Sequence, residues 1–330
     1  MNIWASAWRI CSCVVSLSCV SVASAQAPAP LNYPAKTVRI VVGFAPGGGV
    51  DVIARFFSQK LGESLEQSFV VENRPGAGSN IGTDHVAKAA PDGYTLLMAI
   101  ASLTINVSLY SKLPYDPVRD FTAISTVAIT PSCFAVHPSM PVKSLRELIA
   151  LAKARPGEIS YASSGSGTPA HLSVELFRSM ARLKLLHVPY NGSGPATIAV
   201  LGGQVPLLAT ALPIALPHVR AGKLRMLGVT SAERTRLAPD FPTIAEAGGL
   251  PGYEASIWYG LLAPAGTPAA IVNKLNAEIE RLLQLREVRE RMAALSFDPN
   301  RTTPAAFAEL IKADIVKWSK VVRESGARAD

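Results

Sequence analysis

Beyond residue 25 the sequence holds a single cysteine, Cys133, while Cys11, Cys13 and Cys19 crowd into the opening segment. A lone cysteine closes no internal disulfide, so the fold must rest on its apolar core. The roughly 300 residues that follow can bury about three quarters of their unfolded surface, which makes disulfides unnecessary. No apolar run in that stretch reaches the ~20 residues a membrane-spanning helix needs. Blocks of Lys and Arg with interleaved aromatics are missing too, which removes nucleic acid as a partner. Gly47-Gly48-Gly49 is followed by neither the dinucleotide fingerprint nor a Gly-Lys-Ser/Thr, so no nucleotide is expected and no cofactor. Repeats, low-complexity tracts and flexible linkers are also lacking. The length suggests two domains, and without a linker they are not simply tandem.

The opening segment is informative. Arg9 is followed by an apolar stretch from Ile10 to Val22 and then by Ala23-Ser24-Ala25, a small-x-small cleavage signal. The expectation is a signal peptide at 1–25, cleaved after Ala25, with Gln26 first in a periplasmic product. A lipoprotein would use Cys19, but Ser16-Leu17-Ser18 lacks the aliphatic residue usual three places upstream. Removing Arg9 from the 32 basic residues leaves 31 against 24 acidic ones, about +7. That excess would favour an anionic ligand, and equally suits an ordinary basic surface.

Short β-branched runs alternate with amphipathic segments, the pattern of an α/β protein with mostly parallel sheet. Strands are expected at Val38–Val42, Phe69–Glu72, Tyr94–Ala99, Val127–Val136, Ile159–Ala162, His187–Val188, Val205–Ala209, Leu224–Val229 and Ser256–Ala263. Helices are expected at Val52–Leu61, Ile81–Ala89, Ser144–Lys153, Pro169–Met180, Pro195–Leu201, Pro268–Gln284 and Pro304–Glu324. On the last, Phe307, Leu310, Ile311, Ile315, Trp318 and Val322 form one apolar stripe, read as core. Val127–Val136 and Ser256–Ala263 are the candidates for crossing strands. Lobe one is then 34–132 plus 257–330, and lobe two 133–256.

Two glycine-rich loops carry the chemistry. Ala45-Pro46-Gly47-Gly48-Gly49-Val50-Asp51 joins a strand to a helix, where small residues admit close backbone approach and a helix start attracts anions. A tight turn with Asp51 as a plain cap explains the same residues. Ser163-Ser164-Gly165-Ser166-Gly167-Thr168 precedes Pro169, a strong helix start, and could hold a carboxylate without a cation. A third loop, Pro189 to Pro195, reads as pocket lining or as a turn. For catalysis, Ser164 replaces the first glycine of Gly-x-Ser-x-Gly around Ser166, and His171 has no evident orienting carboxylate. Of the five histidines only His171 shares a helix face with an acid, Glu175, a pairing usually structural, so no metal is expected.

The residues carry a resemblance as well. Phe44-Ala45-Pro46-Gly47-Gly48-Gly49 with Asp51, Val71-Glu72-Asn73-Arg74-Pro75-Gly76-Ala77-Gly78 and Pro91-Asp92-Gly93-Tyr94-Thr95-Leu96-Leu97 resemble the Bug family. These are the tripartite tricarboxylate transporter substrate-binding proteins. Leu113-Pro114-Tyr115-Asp116-Pro117, Tyr161-Ala162-Ser163-Ser164-Gly165, His187-Val188-Pro189-Tyr190, Gly222-Lys223-Leu224-Arg225 and Ala263-Pro264-Ala265-Gly266-Thr267-Pro268 follow in family order. The resemblance implies a type II periplasmic-binding-protein fold, two α/β lobes joined by two crossing strands. It implies a monomeric receptor that captures a small organic carboxylate and delivers it to the transporter's membrane subunits. The acid could be a di- or tricarboxylate, an amino-dicarboxylate or an aromatic acid. One ligand carboxylate would sit on Ala45, Gly47, Gly48 and Asp51, and on Ser163, Ser166 and Thr168. The far end would lie near Ala101, Ser102, Asn191 and Thr210. Two positions depart from common versions: Asn106-Val107 stands for Asn-Pro, and Thr210 for an aspartate. An exported α/β hydrolase or isomerase, or a sensor receptor without transport, remains the alternative.

Overall fold

A computed structural model describes the chain from Asn32 to Ala329; the expected signal peptide and its cleavage after Ala25 lie outside the described residues. β1 (Val38–Val42) runs into α1 (Gly49–Leu65), then come β2 (Phe69–Asn73), α2 (Asn80–Ala87), β3 (Thr95–Ala99) and α3 (Ser102–Leu109). The long β4 (Phe121–Val136) leads to α4 (Leu145–Ala154), β5 (Ser160–Ser163), α5 (Pro169–Ala181), β6 (Leu186–Pro189) and α6 (Ser193–Leu201). After these come β7 (Leu207–Ala211), α7 (Leu212–Arg220), β8 (Arg225–Val229), α8 (Ile244–Gly248) and β9 (Ser256–Pro264). α9 (Ala269–Gln284), α10 (Arg286–Ala294), β10 (Asp298–Pro299) and α11 (Pro304–Ser325) complete the chain.

The strands join in the order β2-β1-β3-β9-β4-β7-β5-β6, with β8 and β10 also pairing to β4. β1 pairs in parallel with β2 and β3, as β5 does with β6 and β7. The inner strands are covered on both faces, so Val38, Ile40, Val41 and Val42 of β1 are all buried and only Arg39 interrupts the apolar run. β4 links the halves: Phe121–Pro131 pairs antiparallel with β9, and Ser132–Val136 with β7. A second passage runs where Thr230 donates from its amide to the Ser132 carbonyl at 2.9 Å and accepts from the Ala255 amide at 2.8 Å. Two α/β lobes joined by crossing strands result, as expected, with β4 starting six residues earlier than its sequence pattern suggests.

Each lobe buries its own core. Phe57, Ile53, Leu275 and Phe297 pack under α1, α9 and α10, whereas Phe134, Leu148, Tyr161 and Phe177 fill the other lobe. The α11 stripe is core, as expected: Phe307, Ile311, Trp318 and Val322 are buried and Leu310 and Ile315 partly so. Each such side chain contributes about 1.5–3 kcal/mol. Cys133 is free and fully buried, and burial pushes its thiol up to about 12. Helices α3, α7, α8 and α10 have no counterpart in the expected elements. α3, which carries Ser102, is buried almost all round, so it shows no amphipathic stripe. Among the described residues, no helix is long and apolar enough to cross a membrane.

Candidate functional site

The three polar loops meet. β1 delivers the first to α1, β5 the second to α5, and β6 the third to α6. Gly48 caps α1 and Gly192 caps α6 without any side-chain hydrogen bond. The first N–H groups of a helix have no acceptor within it, so these ends present bare donors. Between them lies a narrow cavity lined by Gly48, Gly49 and Val50 of α1, Pro169 and Ala170 of α5, and Ser193 of α6. Phe44, Ile100, Ser164, Ala211, Ile257 and Tyr259 close it. No Asp, Glu, Lys, Arg or His lines this space. The partial positive ends of three helices stand where a cationic side chain would otherwise be needed.

The first loop is held by Asp51. Its carboxylate accepts from the Gly47 N–H at 3.0 Å, from Arg55 Nε at 3.0 Å and from Asn73 Nδ2 at 3.0 Å. Asn73 also donates to the Phe44 carbonyl at 3.0 Å. Burial alone would raise the Asp51 carboxyl, but bonds from Arg55, Gly47 and Asn73 outweigh it and hold it below the usual range. These bonds make Asp51 the residue that orients the first loop, not a plain cap. Gly48, not Asp51, is the cap.

The lobes touch across the loops. The Ala45 N–H donates to the Asn191 carbonyl at 2.9 Å. Gly78 and Gly167 allow close approach at two further points. A side chain on Gly78 would collide with the Ser166 carbonyl, and one on Gly167 with Asn106 Oδ1. Beside this seam, Gly76–Ser79, Tyr110, Ser166 and Asn191 line a second, roomier hollow of about 190 Å³.

The expected site residues fall into separate groups. Gly48 lines the cavity, Ala45 and Asn191 clamp the loops together, and Gly47 and Asp51 shape the first loop. Ser166 stands on the seam. The Ser163 hydroxyl is engaged within the protein, 2.6 Å from His187 Nε2 and accepting from the Gly165 N–H at 3.1 Å. Thr168 Oγ1 donates to the Gly165 carbonyl at 2.8 Å and accepts from the His171 N–H at 3.3 Å, which makes it the cap of α5. Ser163 with His187 has the pairing of a nucleophile and a base, yet Ser163 is wholly buried and lines neither hollow. Ala101 caps α3, and its carbonyl accepts from Thr104 Oγ1 at 2.8 Å.

Ser102 and Thr210 have fully buried hydroxyls with no hydrogen-bond partner among the described residues. Ser132 shares that state and was not anticipated; it pairs with Ala211, a lining residue, across β4 and β7. Ser164 and Ser193 line the cavity; the sequence placed both in polar loops without naming either as a ligand residue. Their signal was present in the serines of both loops, but only the fold shows which of them face inwards. Among the described residues no three metal-ligating side chains converge.

Two α/β lobes closing over a cavity ringed by helix starts define a solute-binding receptor of the periplasmic type. The profile described as "Tripartite tricarboxylate transporter family receptor" matches residues 53–327, and the chain belongs to this family. It is 40% identical to Protein BugT of Bordetella pertussis over 314 residues, 94% of this chain and 96% of that protein. Rhodopseudomonas palustris Rpa4515, solved with adipate, superposes with a TM-score of 0.87 at 37% identity, covering 90% of this chain and 99% of that one. MatC of Rhodopseudomonas palustris, solved with bound malate, gives a TM-score of 0.84 at 35% identity, covering 88% of this chain and 100% of that one.

Proposed function

We propose that the chain, exported by cleavage after Ala25, is a periplasmic receptor that captures a small organic carboxylate between its lobes and passes it, unchanged, to a tripartite tricarboxylate-type membrane transporter. The lobes are 34–132 plus 257–330 and 133–256, and the receptor works as a monomer. The observation that carries this reading is the convergence of three helix N-termini on a cavity with no charged side chain. Backbone donors at helix starts hold an anion, and no acidic group there repels it. The adipate and malate held by two relatives support the same ligand class.

In this reading Gly48, Gly49 and the start of α5 grip one carboxylate, and the far end points towards the unpartnered hydroxyls of Ser102, Thr210 and Ser132, which are wholly buried and line neither hollow themselves. Ser163 and Thr168 act by shaping the second loop. No nucleophile with its base opens onto the cavity, so the ligand leaves as it entered.

The test is thermal denaturation and calorimetry of the purified protein with adipate, malate, citrate, glutamate and benzoate. Ligand at a hundredfold excess over Kd adds about 2.7 kcal/mol of stability. For a chain of this length that is a rise in Tm of at least about 2–4 °C. A flat response across the panel overturns the carboxylate reading, and chemical conversion of any member overturns the receptor reading. Export is checked separately: the periplasmic product should begin at Gln26, and an acylated Cys19 would refute the cleavage.

A further inference from the structure

Beneath the second loop lies a buried cluster that the receptor reading leaves unused. The rings of His171 on α5 and His187 on β6 stack at 4.1 Å, nearly parallel at 10°. Tyr161 of β5 stacks on the other face of His187 at 4.8 Å. Both histidines reach into the second loop. The Gly167 N–H donates to His171 Nδ1 at 3.3 Å, and the Ser163 hydroxyl lies 2.6 Å from His187 Nε2.

The His171 contact fixes its proton. A backbone N–H can only donate, so His171 Nδ1 is an acceptor and its proton sits on Nε2. Nε2 faces Glu175 Oε1 at 3.8 Å. The Ser163 hydroxyl already accepts from the Gly165 N–H, and its one proton has a choice of His187 Nε2 at 2.6 Å or the Gly165 carbonyl at 3.3 Å. The Ser163–His187 contact therefore needs one proton from either side: the hydroxyl donates to Nε2, or Nε2–H donates to the hydroxyl while the hydroxyl's own proton goes to the Gly165 carbonyl. Two neutral imidazoles thus anchor the loop at both ends, Ser163 and Gly167. Gly165 and Gly167 adopt φ values of 127° and 77°, a region glycine enters freely, so the loop's shape is set by the bonds made to it.

We propose that the stacked His171–His187 pair is the positioning device that sets the second loop for anion binding, and that protonating the pair releases the loop. It rests on the reading of that loop as part of the carboxylate site. A proton on His171 Nδ1 would turn the acceptor into a donor pointing at the Gly167 N–H. The Ser163 hydroxyl can rotate to accept from a protonated His187 Nε2, so the release acts through Gly167, and a charge on either ring repels a charge on the other.

The surroundings agree with neutral rings. Burial, then the nearby Arg178 guanidinium, pushes His171 down to about 4. Burial, then His171 itself, pushes His187 down to about 3. Of the charged neighbours, Glu175 is committed elsewhere, accepting from Arg178 Nη1 at 2.6 and 2.7 Å and from the Tyr161 hydroxyl at 2.8 Å.

The test uses the ligand-free full-length mature protein, labelled with ¹⁵N. Ring nitrogen signals at pH 7 should show His171 protonated on Nε2 alone. Between pH 7 and 3.5, the Gly165 and Gly167 amide signals should move in step with the His171 ring. In His171→Asn, whose amide oxygen replaces Nδ1 as a non-titrating acceptor, the Gly167 signal should stay flat. Adipate affinity at pH 7 should survive in His171→Asn within about threefold and fall about tenfold in His171→Phe, which keeps the stack and loses the acceptor. A His171 ring protonated on Nδ1, or a Gly167 amide indifferent to its titration, overturns the proposal. So does a folded His171→Phe protein that binds adipate as the parent does. If His171→Phe does not fold, the titration of the parent decides alone. Failure of adipate and malate to bind the parent would count against the receptor reading, and the amide titration would still judge this one.

Discussion

The Asp51 carboxylate turns back along the chain to accept the Gly47 N–H at 3.0 Å, so an acid at a proposed anion site is spent on holding that site's backbone. Arg55 and Asn73 complete its bonds and balance its charge. Asp51→Ala should lower stability by about 1–3 kcal/mol, the cost of stranding polar partners. It should also weaken adipate binding about tenfold without any ligand contact being removed. Urea denaturation and calorimetry on the same sample measure both. Unchanged binding would show that the first loop keeps its shape alone.

Gly48 lines the cavity where α1 and α6 face each other. A Cβ there would stand 3.5 Å from the Ser193 amide nitrogen, an ordinary contact, so the backbone tolerates it. Gly48→Val therefore should fold normally while its methyl groups occupy ligand space and screen the donors. Adipate affinity should fall at least tenfold, with Tm within a few degrees of the parent.

Thr210 carries a buried hydroxyl without a partner. Such a group lowers stability until a ligand satisfies it, and an apolar replacement of equal shape relieves the penalty. Thr210→Val should leave Tm unchanged or higher and weaken malate or adipate binding about 5- to 10-fold. A variant that binds as tightly as the parent would place the far end of the ligand elsewhere, with Ser132→Ala the next to examine.

Thr168 caps α5. Thr168→Ala should cost about 1 kcal/mol of stability, the usual worth of such a cap. Its effect on binding should follow the loop's shape, so Thr168→Ser, which keeps the oxygen, should restore both.

Acid should destabilise the protein in two stages. His171 is held below its unfolded value of 6.5, so the unfolded chain takes up the proton first. Its contribution is complete above about pH 6.5 and is lost as the pH falls towards 4, at up to about 1.4 kcal/mol per pH unit. The carboxyls held low by their partners, Asp51 and Glu254 among them, lose their contribution only as the pH falls below about 4. Urea midpoints at pH 7, 6, 5 and 4 check the order. In His171→Asn the loss between pH 6.5 and 4.5 should shrink.

Much of this was legible from residues alone. Parallel strands such as Val38–Val42 announce themselves because both faces are covered, leaving an apolar run. The loop chemistry was legible because glycine, serine and a following proline mark strand-to-helix turns wherever they occur. The motifs from Phe44 to Pro268 also ran in family order, which fixed two lobes and a carboxylate pocket as the expectation.

What the sequence determined by itself was local: which segments are strands, where helices begin, and which loops can face an anion. The tertiary structure decided which atoms of those loops are free. Ser163 and Thr168 look like ligand hydroxyls in one dimension, yet each is turned inwards, by His187 24 residues away and by the cap of its own helix. Ser132 looks like an ordinary strand residue until β7 places it beside Ala211. The reason is that a polar side chain bonds to whatever the fold brings within about 3 Å of it, and in this site those partners come from segments far apart in the chain.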